Sequence, residues 1–278
     1  MTTCTSKTEI LFLQEKAKEI RIKTIEMVSK AKSAHIGSAL SCTDIIVALY
    51  FNVLKIDPAN PKKEDRDRFI LSKGHACSCL YITLALKGFF HEEELKNYLK
   101  DGSFFTAHGN AEVPGVEVST GSLGHGLSIG VGMALAAKQN EKEYNVFVLL
   151  SDGECDEGST WEAILSASHF KLNNLIAIVD YNKIQSFGRV KEVMDLEPFS
   201  EKWKTFGWNV QETNGHDIEQ ICTALLNATQ QQHKPTVIIA HTIKGKGVSF
   251  MEDTIECHYL TPTEEQIVKA IKELREAK

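Results

Sequence analysis

Two polar residues that follow apolar runs could hold a metal ion and a phosphate group. Asp152 comes after the apolar run Val146–Leu150, and Asn182 comes after a second run, Leu175–Val179. Short apolar runs bounded by turn residues predict buried strands. In an open parallel sheet, ligands bind at the carboxyl ends of the strands, which is where both residues fall. With a turn carbonyl near Ile184 they would offer hard oxygen ligands, which suit magnesium or calcium.

The segment between the two predicted strands is suited to an anion. Gly153 leaves out a side chain where a diphosphate would approach, and the helix predicted over 159–171 begins near Ser159 with an N-terminus that favours negative charge. The simpler alternative is that Asp152 and Asn182 only cap turns, as Asp and Asn often do. These residues alone leave both interpretations open.

Four histidines stand in loops or close to predicted strand ends. A single loop histidine is usually an ordinary surface residue, so none of them predicts a site by itself. An imidazole changes its charge near neutral pH, so a group of them could bind hydroxyls and move protons. The four are His35, His75, His108 and His258.

A lysine-rich segment follows a third apolar run. The run over 235–240 leads into T-I-K-G-K-G-V, which places Lys244 near the carboxyl end of another predicted strand. Lys244 is the better candidate to meet a phosphate, and Lys246 is predicted to face solvent. Lys73 and His75, which follow the predicted strand beginning at Arg68, are unremarkable when taken singly.

A glycine-rich segment opens a helix that is predicted to run to Lys138. Its glycines would let a backbone approach a ligand or another helix closely. Helix packing accounts for Gly130 and Gly132, but it accounts less well for Gly121 and the nearby Leu123. The segment is not a G-x-G-x-x-G motif after a strand, so a nicotinamide-binding fold is poorly supported.

The composition is that of an ordinary globular protein and argues against several classes. Of the 278 residues, 42% are hydrophobic, and the net charge of −6 without a Lys/Arg-rich run argues against nucleic-acid binding. No apolar stretch approaches the ~18–20 residues of a membrane helix, and the N-terminal region lacks a signal-peptide pattern, so a cytoplasmic protein is expected. Seven cysteines without a C-x-x-C pair predict reduced thiols rather than a zinc site. Cys155, inside the candidate site loop, raises the question of sensitivity to oxidation.

Predicted strands and helices alternate along the whole chain. Neither a repeat nor a linker divides it. The predicted fold is therefore one α/β domain over residues 1–278, with a doubly wound, mainly parallel sheet flanked by helices. Helices are predicted over 8–31, 42–53, 159–171, 217–231 and 263–277, further strands over 208–211 and 235–240, and irregular connections over 57–68 and 101–121.

Six segments, taken in order, resemble the transketolase family. They read S-A-H-I-G, R-F-I-L-S-K-G-H, H-G-N-A-E-V-P-G-V-E-V-S-T-G-S-L-G, the unit over 151–182, T-I-K-G-K-G-V and a late His258. The unit over 151–182 resembles the thiamine diphosphate signature, in which an Asp-Gly element is followed about thirty residues later by Asn. Each similarity is weak alone, but six at compatible spacings exceed chance. The resemblance implies the diphosphate-binding domain of the thiamine diphosphate-binding fold.

The resemblance implies a role for each matching residue. The metal ion, Mg²⁺ with Ca²⁺ or Mn²⁺ as alternatives, would be held by Asp152, Asn182 and the Ile184 carbonyl. The cofactor contacts would be His75, Gly121, Leu123, Gly153, Asn182, Lys244 and His258. The catalytic residues would be His35, His108 and His258 in the substrate channel, with Glu157 and Glu162 linking paired active sites. For these two glutamates the alternative is charge complementarity to a helix N-terminus.

The family's second domain has no counterpart in this sequence. That domain supplies the glutamate that activates the aminopyrimidine and the groups that hold the sugar phosphate. The resemblance therefore implies the N-terminal subunit of a split transketolase, which transfers a two-carbon ketol group between sugar phosphates through a thiamine diphosphate carbanion. Such a chain would be active only with a C-terminal-type subunit, in an α2β2 assembly without nucleic-acid or membrane partners, as in the pentose phosphate pathway.

Departures from the family pattern leave alternatives open. Ser151 stands where the family usually has Gly, H-I-G replaces G-H-P, and H-G-N replaces H-P-E or H-P-D. Most of these positions lie on the substrate side, so the reaction type is better supported than the substrate. The alternatives are a specialised transketolase for a branched or sulfonated ketose, a subunit of the 2-oxoacid dehydrogenase or deoxyxylulose-phosphate synthase type, and a non-catalytic interaction subunit.

Overall fold

A sheet of five parallel strands forms the centre of the computed structural model, which describes residues 6–276. The strand order is β1-β2-β3-β5-β4, and every neighbouring pair is parallel, so all carboxyl ends lie at one edge. This confirms the predicted α/β fold with a doubly wound, mainly parallel sheet. The strands are β1 (Arg68–Leu71), β2 (Val146–Ser151), β3 (Leu175–Tyr181), β4 (Asn209–Asn214) and β5 (Thr236–His241).

Helices connect the strands and cover both faces of the sheet. Among residues 6–276, none of them combines the length and the apolar character needed to cross a membrane. Short turns of other helix types lie at Leu49–Val53, Gly74–Ala76, Glu92–Asn97, Gly153–Asp156 and Glu256–His258. The α-helices are α1 (Lys7–Lys30), α2 (Ile36–Ser41), α3 (Thr43–Ala48), α4 (Cys77–Lys87), α5 (Gly126–Gln139), α6 (Gly158–His169), α7 (Val190–Val193), α8 (Phe199–Thr205), α9 (Ile218–Thr229) and α10 (Glu264–Glu276).

The alternation of side chains along the strands divides the core between the two faces. In β2, Phe147 and Leu149 pack with α1, α3, α4 and α9, whereas Val148 and Leu150 pack with α5, α6 and α8. Because both faces are covered, every residue of β2 and β3 is buried and the strands read as continuous apolar runs. This is why both strands could be predicted from the sequence.

The predicted helix over 42–53 is wrong in its bounds. The first helix of this region, α2, begins at Ile36 and ends at Ser41. After a break at Cys42, α3 begins at Thr43. Gly37 is buried in α2, and a Cβ there would overlap with Cys257 Sγ. Glycine at this position serves close packing, which a sequence pattern cannot distinguish from a turn.

Most other predicted elements agree with the structure to within a few residues. The largest extension is in β4, which continues to Asn214, and β3 continues to Tyr181, so Asp180 belongs to that strand. Besides α2, helical segments over 92–97, 153–156, 190–193, 199–205 and 256–258 were not predicted. The end of the predicted last helix, residues 277 and 278, lies outside the described residues.

Cys155 belongs to the loop that follows β2, and it is fully buried. Burial raises the pKa of its thiol well above the ordinary value, and the neighbouring Glu154 adds to the effect. The thiolate is the form that reacts with oxidants. The structure therefore argues against an oxidation-sensitive thiol at this position.

Two glycines of α5 differ in their surroundings, which corrects the packing explanation offered for both. A Cβ on Gly130 would lie 2.6 Å from Val148 Cγ2, whereas a Cβ on Gly132 would meet no heavy atom within 4 Å. Helix packing thus accounts for Gly130 only.

The difference between these glycines gives a matched pair of substitutions. Gly130→Ala is expected to lower the free energy of unfolding by about 1–3 kcal/mol, because the methyl group overpacks the contact with β2. Gly132→Ala is expected to raise it by roughly 0.5–1 kcal/mol, because alanine favours a helix interior. Urea unfolding of both variants measures the effects, and equal shifts would contradict this packing account.

Candidate active site

The carboxyl ends of β2 and β3 bring Asp152 next to the segment that begins at Asn182. Ser151 pairs with Asp180 in the sheet. Asp152 Oδ2 accepts a hydrogen bond of 2.6 Å from the backbone N–H of Lys183, and its Oδ1 accepts one of 2.7 Å from Gly153. The two positions that are thirty residues apart in the sequence are therefore neighbours, as the strand prediction required.

The surroundings of Asp152 stabilise its carboxylate form only partly. The side chain is buried, and burial together with the negative charge of Asp180 raises the pKa of Asp152 to about 7. Two backbone N–H groups stabilise the carboxylate only partly. A cation bound at this carboxylate would supply the missing positive charge.

The oxygens of Asn182 and Ile184 complete a set of hard ligands. Asn182 is buried, and its Oδ1 accepts a 3.1 Å hydrogen bond from the Ile184 N–H. The Ile184 carbonyl accepts a 2.9 Å hydrogen bond from Lys244 Nζ, so it faces a cationic group. Within residues 6–276, no group of three or more His, Cys, Asp or Glu side chains is arranged to hold a metal. A site here would therefore mix one carboxylate with amide, carbonyl and ligand oxygens, which fits magnesium or calcium and not zinc.

The loops around this cluster leave room for a ligand. Asp152, Asn182 and Ile184 line a cavity of about 360 Å³. A Cβ on Gly153 would lie 3.0 Å from Gln185 Cγ, so the two loops approach each other closely there. The cavity is lined by every predicted site residue except Glu162, namely His35, His75, His108, Gly121, Leu123, Asp152, Gly153, Glu157, Asn182, Ile184, Lys244 and His258.

The N-terminus of α6 does not belong to this cavity, contrary to the sequence prediction. A short helical turn over Gly153–Asp156 separates Asp152 from α6. Neither Gly158 nor Ser159 lines the cavity, and Ser159 Oγ instead donates to the carbonyl of Gly124. Glu157, which precedes α6, is exposed at the cavity, and Glu162 is exposed on the helix outside it.

Four histidines from four separate segments meet at the other side of the cavity. The ring of His35 lies 5.0 Å from that of His258, 5.3 Å from that of His75 and 5.8 Å from that of His108, measured between centroids. His35 has a φ of 70°, in the left-handed region, and its N–H donates to the His258 carbonyl at 2.8 Å. An uncommon backbone conformation of this kind is typical of functional sites.

The surroundings keep three of these imidazoles neutral. Burial, assisted by His108, lowers the pKa of His35 to about 4, and burial with the nearby Lys244 lowers that of His258 to about 3. Burial and the Lys73 ammonium lower the pKa of His75 well below its ordinary value. At neutral pH these rings can accept or donate hydrogen bonds without carrying charge.

Lys244 connects the oxygen cluster to the histidines. Its buried Nζ donates to the Ile184 carbonyl and, at 2.9 Å, to His258 Nδ1. Burial lowers the pKa of Lys244 to about 8, so the ammonium form is retained at neutral pH but is weakly solvated. Lys246, by contrast, pairs with Glu252 at 3.1 Å and is partly exposed. The placement of Lys244 suits a role in binding the oxygens of an anion.

A buried ion pair beneath the cavity was missed by the sequence reasoning. Lys73 pairs with Asp180, and neither side chain is accessible to solvent. Lys73 Nζ also donates to the Ser38 carbonyl at 3.1 Å, and Asp180 accepts from Ser41 Oγ at 2.6 Å and from Thr242 Oγ1. Burial opposes ionisation of Asp180, but the Lys73 ammonium outweighs it and holds the pKa of that carboxyl below its usual range. This cluster ties β1, α2, β3 and β5 together under the site.

Glu154 is a second buried carboxylate that the sequence reasoning did not identify. It accepts hydrogen bonds from the Gly124 N–H at 3.0 Å, from the Ser151 N–H at 3.3 Å and from Ser72 Oγ. Burial raises the pKa of this carboxyl. Glu154 therefore joins the glycine-rich segment to the loop that carries Asp152. The loop contains several acidic residues, and nothing in the sequence distinguishes Glu154 as the buried one among them.

The sequence of this chain matches a known protein family. Residues 13–275 match the family described as "Transketolase, thiamine diphosphate binding domain". A relative from Phocaeicola vulgatus, named as one of the subunits of an apulose-4-phosphate transketolase, is 45% identical, and the match covers 95% of this chain and 94% of the relative. A Clostridium protein named 6-deoxy-6-sulfo-D-fructose transketolase subunit SqwG is 43% identical, over 94% of this chain and 96% of that protein.

Solved transketolase structures have the same fold. The Campylobacter jejuni transketolase superposes with a TM-score of 0.90 and 36% identity, and the Leishmania mexicana transketolase with a TM-score of 0.88 and 30% identity. Both superpositions cover 95% of this chain, but only 42% and 41% of the respective solved chains. The present chain therefore spans about two fifths of the solved transketolases and nearly the full length of the relatives named as subunits.

Proposed function

This chain belongs to the transketolase family, whose thiamine diphosphate-binding domain it contains, and from that premise we propose that it is the N-terminal-type subunit of a split transketolase. The whole of residues 1–278 would form the diphosphate-binding domain, working in the cytoplasm. The reaction is the transfer of a two-carbon ketol group between sugar phosphates. The observation that carries the proposal is the single cavity that combines the oxygens of Asp152, Asn182 and Ile184 with Lys244 and four histidines.

The diphosphate would be bound by the oxygen cluster through a metal ion. Asp152, Asn182 and the Ile184 carbonyl would hold magnesium, with calcium or manganese as alternatives, and phosphate oxygens would complete the coordination. Lys244, Gly121, Leu123 and Gly153 would line the cofactor. The buried carboxylate of Asp152, which lacks a neutralising partner, supports this assignment.

The histidines would act on the sugar. When bound, thiamine diphosphate stabilises the carbanion character that breaks a bond next to a ketone. His35, His108 and His258 would bind the hydroxyl groups of the sugar and move protons, which neutral imidazoles can do in either direction. His75 would contact the cofactor. The lowered pKa values of His35 and His258 support the binding of hydroxyl groups, because a neutral ring can both accept and donate a hydrogen bond.

A second subunit would complete the site. The exposed fraction of the side chain is 84% for Phe187 and 61% for Tyr259, and both residues line the cavity. Met194, 57% exposed, lies close by in sequence. Exposed apolar groups concentrated beside a site support an interface with another protein. We propose a C-terminal-type subunit in an α2β2 assembly, with Glu157 and Glu162 linking the paired sites.

The names of the relatives favour a second candidate for the substrate. The two relatives described above are named for apulose 4-phosphate and for 6-deoxy-6-sulfo-D-fructose. A modified ketose, branched or sulfonated, is therefore the alternative to the sugars of the pentose phosphate pathway. Since the groups that hold the far end of the sugar would lie on the partner subunit, the donors must be compared in the assembled complex.

Ketol transfer is expected only when both subunits are present. The assay follows transfer from xylulose 5-phosphate to ribose 5-phosphate with thiamine diphosphate and magnesium, using this chain alone, its C-terminal-type partner alone, and the co-expressed pair. Apulose 4-phosphate and 6-deoxy-6-sulfofructose replace the donor in parallel reactions. Activity of this chain alone would contradict the split assignment, and an inactive pair with every donor would contradict the proposed reaction.

A further inference from the structure

A chain of polar contacts outside the cavity leads to the segment that carries Lys244. Arg21 in α1 donates two hydrogen bonds to Asp44 in α3, of 2.9 and 2.6 Å. Asp44 Oδ2 lies 2.7 Å from His216 Nδ1, and the backbone N–H of Ile243 lies 2.8 Å from His216 Nε2. His216 itself does not line the cavity.

The contacts of His216 determine which ring nitrogen carries the proton. The Ile243 N–H can only donate, so Nε2 must accept and is unprotonated. Nδ1 then carries the proton and donates to the carboxylate of Asp44. Burial opposes ionisation of Asp44, but Arg21 outweighs it and lowers the pKa of that carboxyl to about 2, so the acceptor is always charged at neutral pH. His216 is thus held in one tautomer and one orientation.

The hydrogen bond from the Ile243 N–H to His216 lies just beyond the end of β5. Residues 242–247, which we term the lysine loop, turn sharply there, and Lys244 points into the cavity. Gly245 has a φ of 77°, and its N–H donates to the Gly37 carbonyl at 3.0 Å. The lysine loop is therefore held on one side of Lys244 by His216 and on the other by α2.

We propose that His216 is a positioning residue for Lys244. Its Nε2 fixes the Thr242–Ile243 peptide group, one residue before Lys244, and the pair of Arg21 and Asp44 fixes His216 in turn. The ammonium group is thereby aimed at the Ile184 carbonyl and His258. The part of this inference that concerns cofactor binding rests on the proposed function, because it takes Lys244 as a diphosphate contact. The part that concerns the lysine loop does not.

Substitutions at His216 can separate its two bonds. The side chain of His216→Gln is long enough for its amide oxygen to replace Nε2 as the acceptor for Ile243. The shorter His216→Asn can replace Nδ1 as the donor to Asp44 but cannot reach Ile243. His233→Asn is the matched control, because His233 is exposed in the turn before β5.

Hydrogen exchange of the cofactor-free chain tests the positioning of the loop. The Ile243 amide is expected to exchange about five- to tenfold faster in His216→Asn than in the wild type, as for the loss of one hydrogen bond. It should stay within about twofold of the wild type in His216→Gln and His233→Asn. Nitrogen-15 NMR of the wild-type chain should show His216 protonated on Nδ1 only. Unchanged exchange in His216→Asn, or a proton on Nε2, would overturn the proposal, and the NMR result stands even if a variant does not fold.

Cofactor binding tests the consequence for Lys244. In the complex with the partner subunit, His216→Asn should weaken magnesium-dependent thiamine diphosphate binding about five- to tenfold, and His216→Gln should restore the affinity. Faster exchange of the Ile243 amide without weaker binding of thiamine diphosphate would overturn the proposal that His216 positions Lys244. If the wild-type complex bound no thiamine diphosphate, the proposed function would fail, whereas the exchange result would still decide the positioning of the loop.

Discussion

Asp152→Ala is expected to abolish magnesium-dependent binding of thiamine diphosphate while the chain remains folded. The side chain is the only carboxylate in the proposed ligand set, and we expect its loss to lower cofactor affinity by at least about 100-fold, since even residues that merely support metal ligands contribute about 10–100-fold. The fold should persist because Asp152 lies beyond the end of β2 and, within residues 6–276, its carboxylate bonds only to the N–H groups of Gly153 and Lys183. Titration calorimetry of the two-subunit complex measures the affinity.

The control for this variant is a carboxylate far from the cavity. Asp65→Ala removes an exposed residue that pairs with Lys142 at 3.0 Å before β1. It should bind thiamine diphosphate as the wild type does. Circular dichroism and the melting temperature establish that both variants are folded. Normal affinity in Asp152→Ala would mean that the metal site has been assigned to the wrong residue.

Lys73→Met is expected to destabilise the chain more than any surface substitution. It removes one partner of the buried pair with Asp180 and leaves a negative charge without solvent, beneath the site. Breaking a buried ion pair in this way costs roughly 3–5 kcal/mol. Urea unfolding monitored by tryptophan fluorescence measures the change in the free energy of unfolding.

A double variant separates the loss of the pair from the loss of packing. Lys73→Met with Asp180→Leu replaces both charges by apolar groups and should recover a large part of the stability, because no unpaired charge remains. Lys142→Met, which breaks an exposed pair, should leave the stability unchanged. A Lys73→Met chain as stable as the wild type would show that Asp180 takes up a proton or finds another partner. A double variant less stable than Lys73→Met would show that the hydrogen bonds from the Ser41 and Thr242 hydroxyls to Asp180 contribute more than the ion pair with Lys73.

The sheet could be predicted from the sequence because its signals are local. The runs at β2 and β3 are buried on both faces, so they read as apolar segments that end at polar residues. Parallel pairing then brings Asp152 and Asn182 to one edge without any knowledge of distant contacts. The beginning of α2 was not predictable in this way. Gly37 is required there by its contact with Cys257, which is far away in the sequence.

The polar groups beneath the site could not be predicted for the same reason. Lys73 appeared unremarkable, and Glu154 was one of several acidic residues in a loop. Their burial results from tertiary packing, in which Lys73 meets Asp180 and Glu154 meets the Gly124 N–H. The four histidines that line the cavity could be assigned to one site only through the resemblance to a family, because they lie in four segments that are far apart in the sequence. Sequence reasoning thus identified groups that line the cavity more readily than groups that hold those residues in place.

The most direct test of the account is whether the two-subunit complex binds its cofactor through a metal-bound diphosphate. Calorimetric titrations with thiamine diphosphate and with thiamine, each with magnesium and with a chelator, compare the relevant affinities. We expect tight binding only for thiamine diphosphate with magnesium, and loss of that binding when the chelator is added. Binding of thiamine as tight as that of thiamine diphosphate, or binding that the chelator leaves unchanged, would contradict the site formed by Asp152, Asn182 and Ile184.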